Sequence, residues 1–286
     1  MPDIVTKFGN INFTGQFTGF PNDFIAYGDF KTKLGRFTSD INLKISKAGV
    51  PSYSGKINTA DFDLGTLLDA KALGRTTLSA NVQGSGDNLS NLADQLDAKV
   101  KYIDVNGYSY SNVTVNGTFS KKMFVGTVLV KDRNLDLNFS GDVDLNNKLP
   151  DFAFTAAVNG AKLNELKLLK DSVTVNALIK SNFTGSNINN IEGSIILKNI
   201  ELQIPKNKYL IDSIYFAASG QEGTSRLLTL KSDIAEGNLK GYYDLATIPD
   251  YFKAIAKKYI PSLKTDIGES KPQNFEFNLT LKNVRA

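Results

Sequence analysis

Residues 108–145 read YSYSNVTVNGTFSKKMFVGTVLVKDRNLDLNFSGDVDL and carry the clearest alternation of apolar and polar residues in the chain. Val113, Val115 and Phe119 alternate with Thr and Asn, and two short polar turns divide the segment into three parts. Successive side chains of a β-strand point to opposite faces, so a period of two gives one apolar and one polar face. The segment therefore predicts a meander of three antiparallel strands.

The same alternation recurs along most of the chain on both sides of this segment. The phrase Asn-Phe-(Thr/Ser)-Gly stands toward the end of an alternating stretch at Asn12–Gly15, Asn138–Gly141 and Asn182–Gly185. Its spacing is not constant, which argues against a solenoid of fixed period. Residues 84–98 interrupt the pattern, and we expect a turn followed by a weak helix or an irregular excursion there. The chain as a whole is predicted to be all-β.

One short helix is predicted near the C-terminus. Residues 249–263, PDYFKAIAKKYIPSL, begin with a proline suited to a first helical turn and place an apolar stripe beside lysines. We therefore divide the chain into a β-segment at 1–248, an amphipathic helix at 249–263, and a linker with the start of a next β-segment at 264–286. The helix is either a plug that caps one end of the β-segment or a helix that lies on a membrane surface.

The composition excludes much chemistry. The chain has no His, Cys or Trp, which removes imidazole bases, thiol nucleophiles and disulfides. The net charge of +4 is mild and the lysines form no basic block, so we predict no nucleic-acid partner. Asp136, Asp142 and Asp144 are predicted to lie on the wet face of a strand, since no calcium-loop spacing accompanies them. We predict no enzyme activity, no cofactor and no metal.

The phrasing of several stretches resembles the AsmA-like/TamB (translocation and assembly module) superfamily of bacterial envelope proteins, in the style of its Bacteroidota members. The stretches are residues 12–45, NFTGQFTGFPNDFIAYGDFKTKLGRFTSDINLKI, residues 53–86, YSGKINTADFDLGTLLDAKALGRTTLSANVQGSG, and the meander. The likeness covers most of the chain and lies in strand pattern and phrase order. Members of that family are longer and membrane-anchored, so this chain would be an internal section.

The resemblance implies a fold, a function and a location. The fold would be an elongated, curved antiparallel sheet forming a taco-like groove. The protein would be a section of a periplasm-spanning bridge whose apolar groove conducts phospholipid acyl chains between the inner and outer membranes. It would lie in the periplasm as part of an inner-membrane-anchored envelope protein, with membrane contact only through other parts of that protein. The partner would be phospholipid or another acyl lipid.

The apolar positions of the alternating stretches are the candidate groove lining. They are Ile11, Phe13, Phe17, Ile41, Leu43, Ile45, Leu78, Val82, Val113, Val115, Phe119, Leu135, Leu137, Phe139, Val143, Val173, Val175, Ile179, Phe183, Phe216 and Leu230. The alternative is that these residues fill the core of a closed β-sandwich.

Two other functions compete with lipid conduction. The first is a scaffold or chaperone for outer-membrane protein assembly, which would pair its sheet edges with client strands or with an assembly barrel protein. The second is an adhesin-like or carbohydrate-binding sandwich, for which Tyr102, Tyr108 and Tyr110 are the local aromatic candidates. In addition, Ser172 and Ser213 stand in Asp-Ser-Val and Asp-Ser-Ile triplets that match the O-glycosylation pattern of Bacteroidota.

Overall fold

The protein forms one long antiparallel sheet of 17 strands, seen in a computed structural model that describes residues 6–86, 93–220, 224–260 and 273–282. The strands are β1 Asn12–Phe20, β2 Asp23–Thr32, β3 Gly35–Ile45, β4 Pro51–Ala60, β5 Phe62–Asp63, β6 Leu73–Ser85, β7 Ala93–Val105, β8 Tyr108–Ser120, β9 Met123–Asp132, β10 Leu135–Asp144, β11 Asp151–Lys162, β12 Thr174–Thr184, β13 Glu192–Ile204, β14 Asn207–Ser219, β15 Arg226–Ser232, β16 Ala235–Tyr242 and β17 Asn274–Leu281. The predicted all-β class is confirmed.

The sheet is an open meander in which each strand pairs with the next one along the chain. The exception is β6, which pairs with both β4 and the two-residue β5. Within the described part of the chain, β1 pairs only with β2, and β17 pairs only with β16, so both are edges. The alternative of a closed β-sandwich is wrong, because the pairing runs through a single sheet that does not close.

The predicted meander is confirmed, with turns at residues 121–122 and 133–134. The three strands keep a constant register, in which Val113 pairs with Val130 and Val130 pairs with Leu137. Apolar side chains therefore stand opposite apolar side chains from strand to strand. Cross-strand pairs of β-branched and aliphatic residues are a main source of sheet stability.

The core is a lining on one face of the sheet. Its best-covered residues lie on β6 to β9, where Ala98 is 3% exposed, Val130 5% and Val113 7%. Their packing partners lie on the same run of neighbouring strands, β6 to β10. These small side chains are covered by the larger aliphatic side chains around them on the same face. The open sheet thus has one apolar face, which is the groove of the predicted fold.

The helices lie at the ends of strands. α1, Leu64–Leu68, packs against β6 and is capped by Asp63, whose side chain accepts a hydrogen bond from the Thr66 amide at 2.9 Å. α2, Ile248–Tyr259, follows β16. The helix or excursion expected at 84–98 is wrong over its described part, because β7 already begins at Ala93 and pairs with β6 and β8. Alternating neighbours on both sides favour strand there over the weak local helical pattern.

Candidate functional site

The register brings apolar positions of all the long strands onto one face, which we call the inner face. One row of directly paired residues runs across it: Gly15, Gly28, Ser39, Ile57, Ala80, Ala98, Val115, Val128, Phe139, Ala156, Ile179, Leu197 and Ile214. Parallel rows lie on either side of it. In an antiparallel sheet, directly opposed residues share a face. The inner face is thus continuous from β1 to β14, and a neighbouring row that contains Leu230 and Leu279 extends it to β17.

The predicted lining residues fall on this face. Within strands, each has its place in the paired rows, for example Phe13 opposite Phe30 and Phe183 opposite Phe152. Ile11 and Val173 lie just outside the ends of β1 and β12. Only Val113 among the predicted residues is buried, whereas Ile11, Phe13, Phe17 and Ile45 are exposed and the others are half-buried. The face is therefore lined with apolar side chains that still reach solvent.

The inner face changes character along the sheet. Its first strands are aromatic: Phe13, Phe30 and Phe37 stand side by side, with ring centroids 4.8 Å and 4.6 Å apart. The middle strands are aliphatic and well covered. Aromatic pairs return at Phe139–Phe154 and Phe152–Phe183, 5.1 Å and 4.8 Å apart. An apolar surface is thus present in every region, although its side chains differ.

Glycines leave gaps in this lining. Gly117 pairs with Gly126, and Gly126 pairs with Gly141, so three adjacent strands carry no side chain at this level. The Phe124 ring lies beside the gap, only 2.9 Å from where a Cβ on Gly126 would stand. The backbone of the facing strand is closer still, so a larger residue does not fit. The recurring Asn-Phe-(Thr/Ser)-Gly phrase has the same effect, since its Phe and Gly both lie on the inner face.

The opposite face, which we call the outer face, is polar on β10, although neighbouring strands also carry exposed apolar residues there, such as Val125, Leu129 and Leu178. On β10 it carries Asp136, Asn138, Ser140 and Asp142. Asp136 pairs with Lys131, whose Nζ lies 2.6 Å from the carboxylate, and Asp144 accepts a hydrogen bond from the Asn146 amide at 2.8 Å. Among the described residues, no group of three acidic residues is placed to hold a metal ion. The aspartates thus form part of the polar surface of β10 and accept local hydrogen bonds.

The helix α2 lies against the inner face of the last strands. The Phe252 ring is 6.1 Å from both Phe275 and Phe277, measured between centroids. Between the helix and the sheet lies a slot of about 270 Å³. Its lining is apolar apart from Asn238 and Asn278: Leu228, Leu230, Gly237, Leu239, Leu245, Ile248, Phe252, Phe275, Phe277 and Leu279 complete it. The far end of the helix is open to solvent, with Tyr259 78% exposed.

The three tyrosines considered for a binding surface do not form one. The Tyr108 hydroxyl donates to Asp132 at one end of the sheet, and its ring packs edge-on against Tyr110 at 4.7 Å. The Tyr102 hydroxyl instead donates to Asp61 at 2.7 Å. Tyr108 is 8% exposed. This arrangement ties the ends of neighbouring strands together and offers no aromatic platform for a sugar.

Asp132 is the centre of that cluster. Its carboxylate accepts hydrogen bonds from the Ser111 hydroxyl at 2.6 Å and the Asn134 amide at 2.9 Å, in addition to Tyr108. Burial acts to raise the pKa of Asp132, but the hydrogen bonds from Ser111, Tyr108 and Asn134 outweigh it and the pKa is lowered. Burial and the neighbouring Asp132 carboxylate raise the pKa of Tyr108. The aspartate is therefore held ionised and the tyrosine protonated.

Some lining residues escaped the sequence analysis. Phe30 and Phe37 flank a tight hairpin, and Phe152 and Leu197 face predicted residues directly. Each belongs to an alternating stretch, so its alternation was visible, but its face depends on the register with the neighbouring strand. Register was the missing information.

The two candidate glycosylation serines differ in setting. Ser172 is exposed in the loop before β12, whereas Ser213 is half-buried within β14 and its amide donates to Asp233. An enzyme would reach the side chain of Ser172 more readily. Modification of either serine stays a hypothesis.

No helix in the described ranges is both long enough and apolar enough to cross a lipid bilayer. Comparison with protein-family profiles, with curated proteins and with solved structures gave no match.

Proposed function

We propose that the protein is a section of a bridge-like protein of the bacterial periplasm, whose inner face conducts phospholipid acyl chains between the inner and outer membranes. The observation that carries this proposal is the predominantly apolar inner face, which crosses the long strands in register. The periplasmic location and the membrane anchor rest on the family resemblance. The role is one of binding and passage and involves no catalysis.

The dimensions of the groove suit passage better than a single binding site. Strands in a sheet are spaced by about 4.8 Å, so the inner face extends for about 70 Å along the stacking direction. An acyl chain spans about 15 Å, half of a bilayer core. The face therefore offers space for several chains in succession.

The half-exposed lining supports the same function. A filled core would leave no apolar surface for a lipid, whereas Phe17, at 60% exposed, and Leu279, at 56%, present theirs to the groove. Each methylene of an acyl chain that leaves water contributes about 0.8 kcal/mol. Because this attraction is non-directional, a chain can slide without breaking specific bonds.

A lipid-binding measurement tests the proposal. The purified chain is incubated with phospholipid vesicles, and the vesicles are then removed by flotation. The phospholipid that stays bound to the vesicle-free protein is quantified. We expect bound phospholipid in the wild type and a severalfold decrease in Phe139→Asp, which places a charge in the groove. The matched control is Asn138→Asp, one residue away on the outer face. Absence of lipid from the wild type, or equal binding by a folded Phe139→Asp variant, would contradict the proposal.

A scaffold for outer-membrane protein assembly is the second candidate, and the sheet edges favour it. Every residue of β1 is exposed, and β17 is exposed at all but one position. An unpaired edge is a ready template for another strand. Photo-crosslinkers at Thr18 and Thr280 would then capture barrel proteins in the cell, whereas lipid adducts at inner positions with no protein adduct at the edges favour conduction.

A further inference from the structure

Arg226 is a buried charge on the inner face. It opens β15, pairs with Gly241 of β16, and stands two residues before Leu228 on the same side of the strand. It is only 3% exposed. An arginine stays ionised in proteins, so a full positive charge is held away from water at this end of the groove.

The contacts of Arg226 leave part of its guanidinium unused. Its Nη2 donates to the Ile191 carbonyl at 3.2 Å, and its Cζ lies 5.3 Å from the centre of the Tyr243 ring. Its Nε and Nη1 are buried and have no hydrogen-bond partner within the described ranges. None of the ion pairs between described residues includes Arg226. Buried donors are almost always paired in folded proteins. The unpaired Nε and Nη1 of Arg226 therefore indicate a place for an acceptor that the described residues do not supply.

Tyr243 supplies a second unused donor beside it. The Tyr243 hydroxyl is also buried without a partner in the part of the chain that the structure describes. Burial raises its pKa, although the charge of Arg226 acts in the opposite sense, and the hydroxyl stays protonated. A guanidinium and a phenol together suit an oxyanion, because each can donate a hydrogen bond to it and the guanidinium adds a positive charge.

Arg226 is packed closely on one side and lies near the slot under α2 on the other. Gly220 stands beside Arg226, and a Cβ there would come within 3.3 Å of the Arg226 Cγ and 2.8 Å of the Ser225 carbonyl. On the other side, Gly241 separates Arg226 from Phe275 of β17. Phe275 and Leu228 both line the slot under α2. Arg226 thus neighbours two residues that line the slot, Leu228 along its own strand and Phe275 across Gly241.

We propose that Arg226 and Tyr243 bind the anionic head group of an amphiphile, a carboxylate or a phosphate, whose hydrocarbon chain occupies the slot under α2. This inference rests on the proposed function and deepens it, since it assigns a head-group binding site to one end of the groove. It also gives α2 a role, because Phe252 closes the slot over the chain. The anion neutralises the buried charge, and the slot removes the chain from water.

The test measures binding of three probes to the delipidated full chain by isothermal titration calorimetry. Oleate carries both anion and chain, oleyl alcohol carries the chain alone, and inorganic phosphate carries the anion alone. We expect Arg226→Met to weaken oleate binding about tenfold or more, as loss of a charge-assisted hydrogen bond does. Oleyl alcohol binding should not change. Lys231→Met, which removes a charge from the outer face of the same strand, should leave oleate binding intact.

The outcomes separate this inference from the proposed function. If neither oleate nor oleyl alcohol binds the wild type, both fail. If both bind and a folded Arg226→Met variant retains its oleate affinity, only the head-group site is overturned. If phosphate alone binds as tightly as oleate and loses its affinity in Arg226→Met, the site holds a free anion and the amphiphile is excluded.

A spectroscopic measurement covers the case in which Arg226→Met does not fold. The chain contains five arginines, so their Nε–H signals can be assigned by conservative Arg→Lys substitution and followed by NMR. Oleate should shift the Arg226 signal in the wild type, and oleyl alcohol should not. Tyr243→Phe keeps the ring and removes only the hydroxyl, and it should weaken oleate binding severalfold. An unmoved Arg226 signal at saturating oleate would overturn the proposal.

Discussion

The central strands β6 to β10 and the edge strands β1 and β17 share one alternating pattern but differ in how deeply they bury it. Val113, Val130 and Ala98 in the centre are 3–7% exposed, whereas Phe17 on β1 and Leu281 on β17 are 60% and 77% exposed. A strand in the middle has covered neighbours on both sides, and an edge strand has one neighbour. The covered residues of the central strands therefore hold the sheet together. Half-buried inner-face residues such as Val115 and Phe139 still reach solvent, and the edge strands leave the most apolar surface free for a ligand or a partner strand.

A charge in the centre of the groove should have the largest effect. We expect Val113→Asp to cost about 3–5 kcal/mol of unfolding free energy, since no cation lies opposite to pair with the buried carboxylate. Thr114→Asp, on the outer face of the same strand and opposite Lys99, should cost about 1 kcal/mol or less. Urea unfolding measures both. Equal losses would show that the two faces of β8 do not differ in burial.

A cavity in the centre should cost more than a larger deletion at the edge. We expect Val130→Ala to lose about 1–3 kcal/mol, because the space it leaves is enclosed. Phe17→Ala removes a bigger side chain, yet it should lose below about 1 kcal/mol, because Phe17 stays mostly in water on an edge strand. The order is tested by denaturant midpoints at constant slope. A larger loss for Phe17→Ala would mean that β1 is covered in solution.

Low pH should weaken the hydrogen bonds that the Asp132 carboxylate accepts at the ends of the central strands. The folded pKa of Asp132 lies below its ordinary value, so the stability it contributes is fully present above the unfolded pKa of about 4. That contribution is lost as the pH falls from there through the lowered folded pKa. We expect Asp132→Asn to be less stable than the wild type at pH 7 and to approach it at low pH. A constant difference between the two proteins from pH 7 to pH 2 would contradict this assignment.

The fold class and the lining were predictable because both depend on a period of two. Alternation is a local property, and the turns at residues 121–122 and 133–134 fixed the register of the meander. The choice between an open groove and a closed sandwich was not local, since both structures need the same one-sided strands. It is decided by long-range pairing, in which β17 extends the sheet from β16 and does not return to an earlier strand.

The unpaired polar groups were also beyond the sequence. Arg226 opens a strand whose next inner-face residues are Leu228 and Leu230, and in the sequence it looks like a solvated strand end. Its burial depends on Tyr243 and Gly220, which come from other strand ends. The slot beneath α2 likewise depends on the loop before the helix. The Leu245 amide in that loop donates a hydrogen bond to the side-chain oxygen of Asn189 at 2.8 Å. Only tertiary structure brings these segments together.

The central claim is that lipid lies on the inner face of this sheet, and site-specific photo-crosslinking in a bacterial envelope tests it most directly. The crosslinker is placed at Val115 and Phe139 on the inner face, and at the adjacent Asn116 and Asn138 on the outer face. We predict phospholipid adducts from the two inner positions and none from the two outer ones. Adducts only to neighbouring protein from Val115 and Phe139, or equal lipid labelling from both faces, would contradict the account.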